Sequence, residues 1–157
     1  MQILKTNNGF DAMVDDAVYH SLCQYNWHAA TKRRDGLNYV YATINRKTVY
    51  LHRFILNCTG KEEVDHIDGN PLNNQRSNLR LCENHSLNNA NCCPRRNKQT
   101  SVYKGVRLHH TGKYQAYATK KGHFYYLGLY KTPEEAALVY NRKAKELFGE
   151  YARVNVV

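Results

Sequence analysis

Three short stretches hold residue types that can do chemistry together: Val64-Asp65-His66-Ile67-Asp68-Gly69-Asn70, Asn78-Leu79-Arg80-Leu81 and Leu87-Asn88-Asn89-Ala90-Asn91. A carboxylate and an amide carbonyl are hard oxygen ligands, suited to Mg²⁺ or Mn²⁺ with positions left over for water and a phosphate oxygen. A neutral histidine beside such an ion can take the proton of an attacking water. The ion offsets charge on a phosphorane-like transition state and on a leaving 3′ oxygen. Asp65, His66 and an asparagine of the third stretch supply that set. Asn78 is the residue able to hold the second nitrogen of His66 and fix its tautomer. Asp68 and Asn70 read as loop-capping residues that set the turn rather than as ligands.

These residues need elements to bring them together. Val64–His66 reads as a short strand, Asp68-Gly69-Asn70-Pro71 opens a long loop, Leu79–Cys82 returns as a strand, and the segment near Ser86–Asn91 opens a helix. A strand–loop–strand–helix unit brings its ends together, so the three stretches can converge despite their separation in sequence. Asn70 to Asn91 holds eight asparagines in 22 residues, a density that fits loops, caps and a polar functional surface better than a packed core.

Val64-Asp65-His66-Ile67-Asp68-Gly69-Asn70 with Asn78-Leu79-Arg80 resembles the HNH nuclease motif, as found in phage and intron-encoded homing endonucleases. Leu51-His52-Arg53-Phe54 resembles the strand that precedes the motif in this subgroup, and the likeness covers Lys47 to Asn91. The resemblance implies a ββα-metal finger around one divalent cation. It makes His66 the general base, Asp65 and Asn88 the metal ligands, and Asn78 the residue that orients His66. The spacing from Arg80 to the helix asparagine is one residue longer than usual in the family. Asn88 is therefore chosen on the match of Ser86-Leu87-Asn88-Asn89-Ala90-Asn91, with Asn84, Asn89 and His85 as alternatives.

The rest of the first half reads mainly as strands. Gln2–Lys5 and Phe10–Val14 form a hairpin around Asn7-Asn8-Gly9. Asp15–Tyr25 makes one short helix, and Tyr39–Ile44 and Thr48–Ile55 alternate as strands. Trp27 belongs to the core, and His52 reads as a packed or solvated strand histidine rather than a phosphate contact. Arg53, Arg76 and Arg80 are surface charges or phosphate clamps, Arg80 being the best placed. The five cysteines are irregularly spaced without a C-x-x-C pair, which argues against a zinc ribbon or disulfide framework; they read as reduced, mostly buried small hydrophobes.

Charge divides the chain. The 157 residues carry 23 Lys+Arg and 13 Asp+Glu, a net charge of +10. Met1–Cys93 is nearly neutral at +1, whereas Pro94–Val157 stands at +9 and holds eight of the thirteen tyrosines. Cations interleaved with aromatics favour a polyanion, nucleic acid above all. Cys92–Ser101 is basic and poor in apolar residues and reads as a linker whose Arg95, Arg96 and Lys98 can track a DNA backbone. Three strands follow, Val102–His109, Lys113–Lys120 and His123–Leu129, turning at Thr111-Gly112 and Lys121-Gly122. The last element is a helix with Thr132 as N-cap, Pro133 first, Glu135 completing a capping box and Gly149 closing it.

Tyr103-Lys104-Gly105-Val106-Arg107, Gly112-Lys113-Tyr114-Gln115-Ala116, Tyr126-Leu127-Gly128, Glu134-Glu135-Ala136-Ala137 and Tyr151-Ala152-Arg153-Val154-Asn155 resemble the ethylene-response-factor (APETALA-type) DNA-binding domain. The likeness covers nearly all of Ser101–Asn155. It implies that one face of a three-stranded sheet lies in the DNA major groove. Strand alternation assigns Arg107, His109, Gln115, Tyr117, Thr119, Phe124 and Tyr126 to that face, with Lys104, Lys113 and Arg80 as further DNA contacts; Val106, Ala116, Ala118, Tyr125 and Leu127 turn to the helix. His109, Thr111, Thr119 and Phe124 stand where plant members place Arg or Trp, so the plant target sequence does not carry over.

The expectation is an α+β chain: an N-terminal ββα-metal (HNH) nuclease module over 1–91, a basic linker over 92–101, and a C-terminal three-stranded antiparallel sheet packed on one helix over 102–157. Its expected activity is metal-dependent hydrolysis of a DNA phosphodiester with one Mg²⁺ or Mn²⁺ per site, of the homing nicking type. The expected partner is double-stranded DNA, bound by a monomer or weak homodimer. The polar start Met1–Phe10 and the lack of a long apolar run point to a cytoplasmic protein, and the resemblance implies one encoded by a phage or mobile element and acting in a host cell. The alternative is a non-catalytic DNA-binding regulator with a relic nuclease half; RNA binding is the third and weakest reading.

Overall fold

A computed structural model describes residues 1–30, 39–83, 85–92 and 101–157. Arg95, Arg96, Lys98, Cys93 and the alternative ligand Asn84 lie outside the described residues. The chain divides into two compact units, Met1–Glu83 and Asn84–Val157. The expected boundary at 91/92 therefore differs from this division by eight residues, which assigns the helix carrying Asn88 to the second unit.

The first unit begins with the expected hairpin, β1 (Gln2–Lys5) paired antiparallel with β2 (Asp11–Val14). α1 (Asp16–Leu22) follows, then β3 (His28–Ala29), β4 (Val40–Ile44) and β5 (Lys47–Tyr50), which form an antiparallel sheet in that order. Asn45 and Arg46 both have positive φ, 51° and 63°, the two-residue turn that suits the right-handed twist of a hairpin. Leu51–Ile55, expected as more strand, is a helical turn, α2. Leu51, Phe54 and Ile55 recur at helical spacing, so one turn of helix sends all three inward where a strand would have split them between faces. β6 (Glu63–His66) and β7 (Leu79–Cys82) close the unit as an antiparallel pair.

Its core gathers Leu4, Val14, Leu22, Trp27, Val40, Leu51, Ile55, Val64 and Leu79. Trp27 is 1% exposed; its Nε1–H donates to Leu22 O at 2.9 Å, which satisfies the one polar atom that burial of the indole brings inside. Arg53 projects from α2 and donates to the carbonyls of Gly60 and Glu62, bracing the approach to β6 from within the chain.

The second unit opens with α3 (His85–Asn91). β8 (Val106–Leu108), β9 (Tyr114–Lys120) and β10 (His123–Tyr130) form an antiparallel sheet with β9 central, and α4 (Pro133–Phe148) packs on it. The capping box is complete: Glu135 N–H donates to Thr132 Oγ1 at 3.2 Å and Thr132 N–H to Glu135 Oε2 at 3.3 Å. Ala136, Ala137, Tyr140, Ala144 and Phe148 form the buried stripe of α4, facing Val106, Ala116 and Ala118 of the sheet. Of the four described cysteines only Cys82 is buried; Cys58 is half-buried, and Cys23 and Cys92 are exposed because each lies at the end of a short helix. No helix among the described residues is long and apolar enough to cross a membrane.

Candidate active site

The β6–β7 register places Asp65 opposite Arg80 and His66 opposite Leu79. Successive side chains on a strand point to opposite faces, and the two residues accordingly have different surroundings. The Asp65 carboxylate, 7% exposed, takes hydrogen bonds on Oδ2 from Arg80 Nε at 2.9 Å and Nη2 at 2.8 Å. Arg80, expected as a DNA contact, is thus committed to an ion pair with only 13% of its side chain exposed.

His66 is 4% exposed and packs edge-on against His52, with ring centroids 5.2 Å apart, and beside Tyr39 at 5.8 Å. Its Nε2 lies 3.3 Å from Oδ1 of Asn74. Asn74 is wholly buried, and its amide orientation is fixed because Nδ2 donates to Pro71 O at 3.0 Å. Oδ1 is therefore the atom turned to His66, Nε2 carries the proton, and Nδ1 is the basic nitrogen of the neutral ring. Burial lowers the His66 pKa from the ordinary histidine value, partly countered by the Asn74 hydrogen bond and by Asp68 and Asp65. The ring is held in its neutral, proton-accepting form.

Asn78 does not hold the ring. Its Oδ1 accepts from Asp68 N–H at 3.0 Å, and its Nδ2 donates to Asp68 Oδ1 at 2.9 Å and Asn73 O at 2.8 Å. The side chain instead locks the loop after His66, while the Asn78 backbone carbonyl accepts from Ile67 N–H at 2.9 Å. Asp68 is the hub of that loop, receiving Asn70 N–H and the Asn73 and Asn78 amides. Burial pushes its pKa up, but these donors outweigh it and hold the carboxyl below the usual aspartate value. A carboxylate ringed by N–H donors sets a turn, as expected for Asp68 and Asn70, and is a poor cation site.

His52 stands on α2 rather than on a strand and is 8% exposed. Its buried Nδ1 has no hydrogen-bond partner among the described residues. Burial, with repulsion from His66 and Arg53, pushes its pKa down to about 3, so it is neutral at ordinary pH and is no cationic phosphate clamp. For a divalent ion, the donor chemistry fits: Asp65 offers a carboxylate and Asn88 an amide oxygen. Asp65 belongs to the first unit and Asn88, half-buried on α3, to the second.

In the second unit the register and exposure of the residues expected on one sheet face are as follows. Arg107 pairs across the sheet with Gln115, Tyr117 with Tyr126, and Thr119 with Phe124. The Arg107 guanidinium lies 5.2 Å over the Tyr117 ring, which stacks on Phe124 at 5.6 Å. Phe124 and Tyr126 are 48% and 59% exposed. Thr119 and Lys113 are exposed, and His109 is half-exposed beside the Thr111 hydroxyl at 2.9 Å. Two residues differ from expectation. Gln115 is 6% exposed and accepts from Arg107 Nε at 2.8 Å, so it supports the arginine from behind. The Lys104 ammonium donates to the carbonyls of Asn89, Ala90 and Cys92 at the end of α3.

Residues 49–89 match the family model described as HNH endonuclease. An uncharacterized HNH endonuclease of Acanthamoeba polyphaga mimivirus is 42% identical over 115 residues, 68% of this chain and 57% of that relative. The chain thus spans somewhat over half the length of the curated relative it matches. No solved structure matches it. The matched segment contains Asp65, His66, Asn78, Arg80 and Asn88, and both likenesses support an HNH nuclease.

Proposed function

We propose that this chain is a metal-dependent DNA endonuclease in which His66 is the general base. The observation that carries the reading is the state of His66: buried, neutral, its Nε2–H directed to Asn74, and next in sequence to Asp65 within the segment that matches HNH endonucleases. Nδ1 of His66 takes a proton from water as the water oxygen attacks phosphorus. The P–O3′ bond breaks and the departing 3′ oxygen takes a proton from solvent water, leaving a 5′-phosphate and a 3′-hydroxyl. Asp65 and Asn88 would hold one Mg²⁺ or Mn²⁺ per site, which would supply Lewis-acid neutralisation of charge on the phosphate and the departing oxygen. Asn74 keeps the base in one tautomer, and Asn78 with Asp68 keeps the following loop closed.

In this reading the basic second unit recruits the nuclease to duplex DNA, as its resemblance to ethylene-response-factor-type domains implies. The exposed Arg107, Lys113, Thr119 and Tyr126, with the half-buried His109 and Tyr117, make the contact. One site in a monomer cuts one strand, so the reaction is nicking, suited to a homing-type mobile element; a weak homodimer would cut both. End analysis of a labelled duplex tests the chemistry: 5′-phosphate and 3′-hydroxyl ends, formed with Mg²⁺ and not with EDTA, are expected, and the opposite ends would refute it.

The pairing of Arg80 with Asp65, which neutralises the first-unit ligand, favours one second reading: a DNA-binding regulator with a relic nuclease half. It predicts binding that is never followed by cleavage.

A further inference from the structure

A seven-residue helix has little stability of its own in water, so α3 must take its position from what it touches. Its last carbonyls are the groups a helix leaves unsatisfied, and they are accounted for from within the second unit. Lys104 Nζ donates to Asn89 O at 3.2 Å, to Cys92 O at 2.8 Å and to Ala90 O between them. An ammonium has three protons to donate, and among the described residues three carbonyls accept from it. Arg153 adds its backbone N–H to Ala90 O at 3.2 Å and its Nη1 to Asn91 O at 3.5 Å. Ala90 is packed with Ala118, Tyr140, Ala144 and Phe148.

The lysine is itself held at its backbone. Its N–H donates to Asn155 Oδ1 at 2.7 Å, and Asn155 Nδ2 donates back to Lys104 O at 3.0 Å. Asn141 on α4 grips Asn155 in the same two-way manner, at 2.7 and 2.8 Å. Gly105 has φ +72°, and a Cβ there would lie 2.0 Å from the Tyr140 ring, so the chain beside Lys104 is pressed against α4. A continuous path of contacts runs from α4 through Asn155 and Lys104 to the residues that follow Asn88.

We propose that Lys104 is a positioning residue for Asn88, fixing the helix that presents this metal ligand, and is not a DNA phosphate contact. The inference rests on the reading of Asn88 as a ligand.

Lys104→Met, Lys104→Arg and Asn88→Ala in the full chain test it. Three readouts are compared: Mn²⁺ binding by electron paramagnetic resonance without DNA, amide hydrogen exchange, and DNA affinity in EDTA across a salt series. Lys104→Met should weaken Mn²⁺ binding about tenfold, the cost of losing an outer-shell support. It should speed exchange over 85–91 by roughly tenfold while α4 stays protected, which shows that the unit is folded. Lys104→Arg, still able to donate to carbonyls, should restore most of both. DNA affinity should stay within about twofold, with an unchanged salt slope. A lower affinity with the slope shallower by about one, and α3 exchange unaltered, would make Lys104 a phosphate contact and overturn the proposal. Unchanged Mn²⁺ binding in Lys104→Met, with Asn88→Ala still weakening it, would also overturn it. If Asn88→Ala leaves Mn²⁺ binding intact, the ligand assignment and the metal half of the proposal both fall; exchange over 85–91 still decides whether Lys104 holds the helix.

Discussion

Asp65 and Arg80 face each other across the β6–β7 pair, with Oδ2 and Nη2 2.8 Å apart and both side chains largely buried. A buried carboxylate left without its cation is costly, whereas removing both partners is often tolerated. Arg80→Leu should therefore destabilise the fold by roughly 3 kcal/mol, and Asp65→Leu combined with Arg80→Leu should recover much of that loss. Urea unfolding of the two single variants and the double measures the coupling. Additive losses would show that the pair contributes nothing of its own.

Asn74, rather than Asn78, sets the chemistry of His66. Replacing it with Ala should lower the cleavage rate on the order of 10–100-fold while leaving DNA affinity in EDTA unchanged. Nitrogen NMR of the imidazole gives an independent check. The parent should show a protonated Nε2 and an unprotonated Nδ1 at neutral pH, and Asn74→Ala should mix the two tautomers. An unchanged spectrum would remove Asn74 from the account.

Acid should unfold the protein through its histidines. Both His52 and His66 have pKa values lowered by burial, His52 to about 3. Between the ordinary histidine value near 6.5 and the lowered one, the unfolded chain holds a proton that the folded chain refuses. The stability from each group is full above pH 6.5 and is lost as pH falls toward its folded pKa. For His52 the slope is about 1.4 kcal/mol per pH unit. His52→Phe should flatten the stability curve between pH 6 and 4 by about that slope. The lowered pKa of His66 also keeps it basic below pH 6.5, so the acid limb of the cleavage profile should lie below that pH.

DNA affinity should be strongly salt-dependent. If about six cations neutralise phosphates, log K falls against log salt with a slope near −5. Arg107→Ala should reduce affinity and make that slope shallower by about one. Gln115→Ala, which frees Arg107 without touching DNA, should weaken binding less and leave the slope unchanged. An affinity indifferent to salt would refute the recruiting role of the second unit.

Much of the fold was legible because its signals were local. Thr132, Pro133 and Glu135 announce a helix start by side-chain chemistry alone, and Leu79–Cys82 returns as a strand over the expected residues. Leu51–Ile55 reads as strand because β-branched and aromatic residues precede it; the decisive helical spacing of Leu51, Phe54 and Ile55 is only one turn long. The part of Asn74 was hidden by abundance. Among eight asparagines in 22 residues no local rule marks the one that reaches His66, which depends on how the loop is folded by Asp68. Lys104 reads as a DNA contact, and only the packing of α3 reveals its bonds to the carbonyls of Asn89, Ala90 and Cys92.

Cleavage of a supercoiled plasmid by the full chain, with Mg²⁺, with EDTA and as His66→Ala, tests the central claim most directly. The account predicts open circles with Mg²⁺, no cutting in EDTA, and a rate reduced on the order of 10²–10⁴-fold by the substitution. Cutting that persists in EDTA, or in His66→Ala at the parent rate, would contradict it, as would DNA binding by the parent protein with no cutting at all.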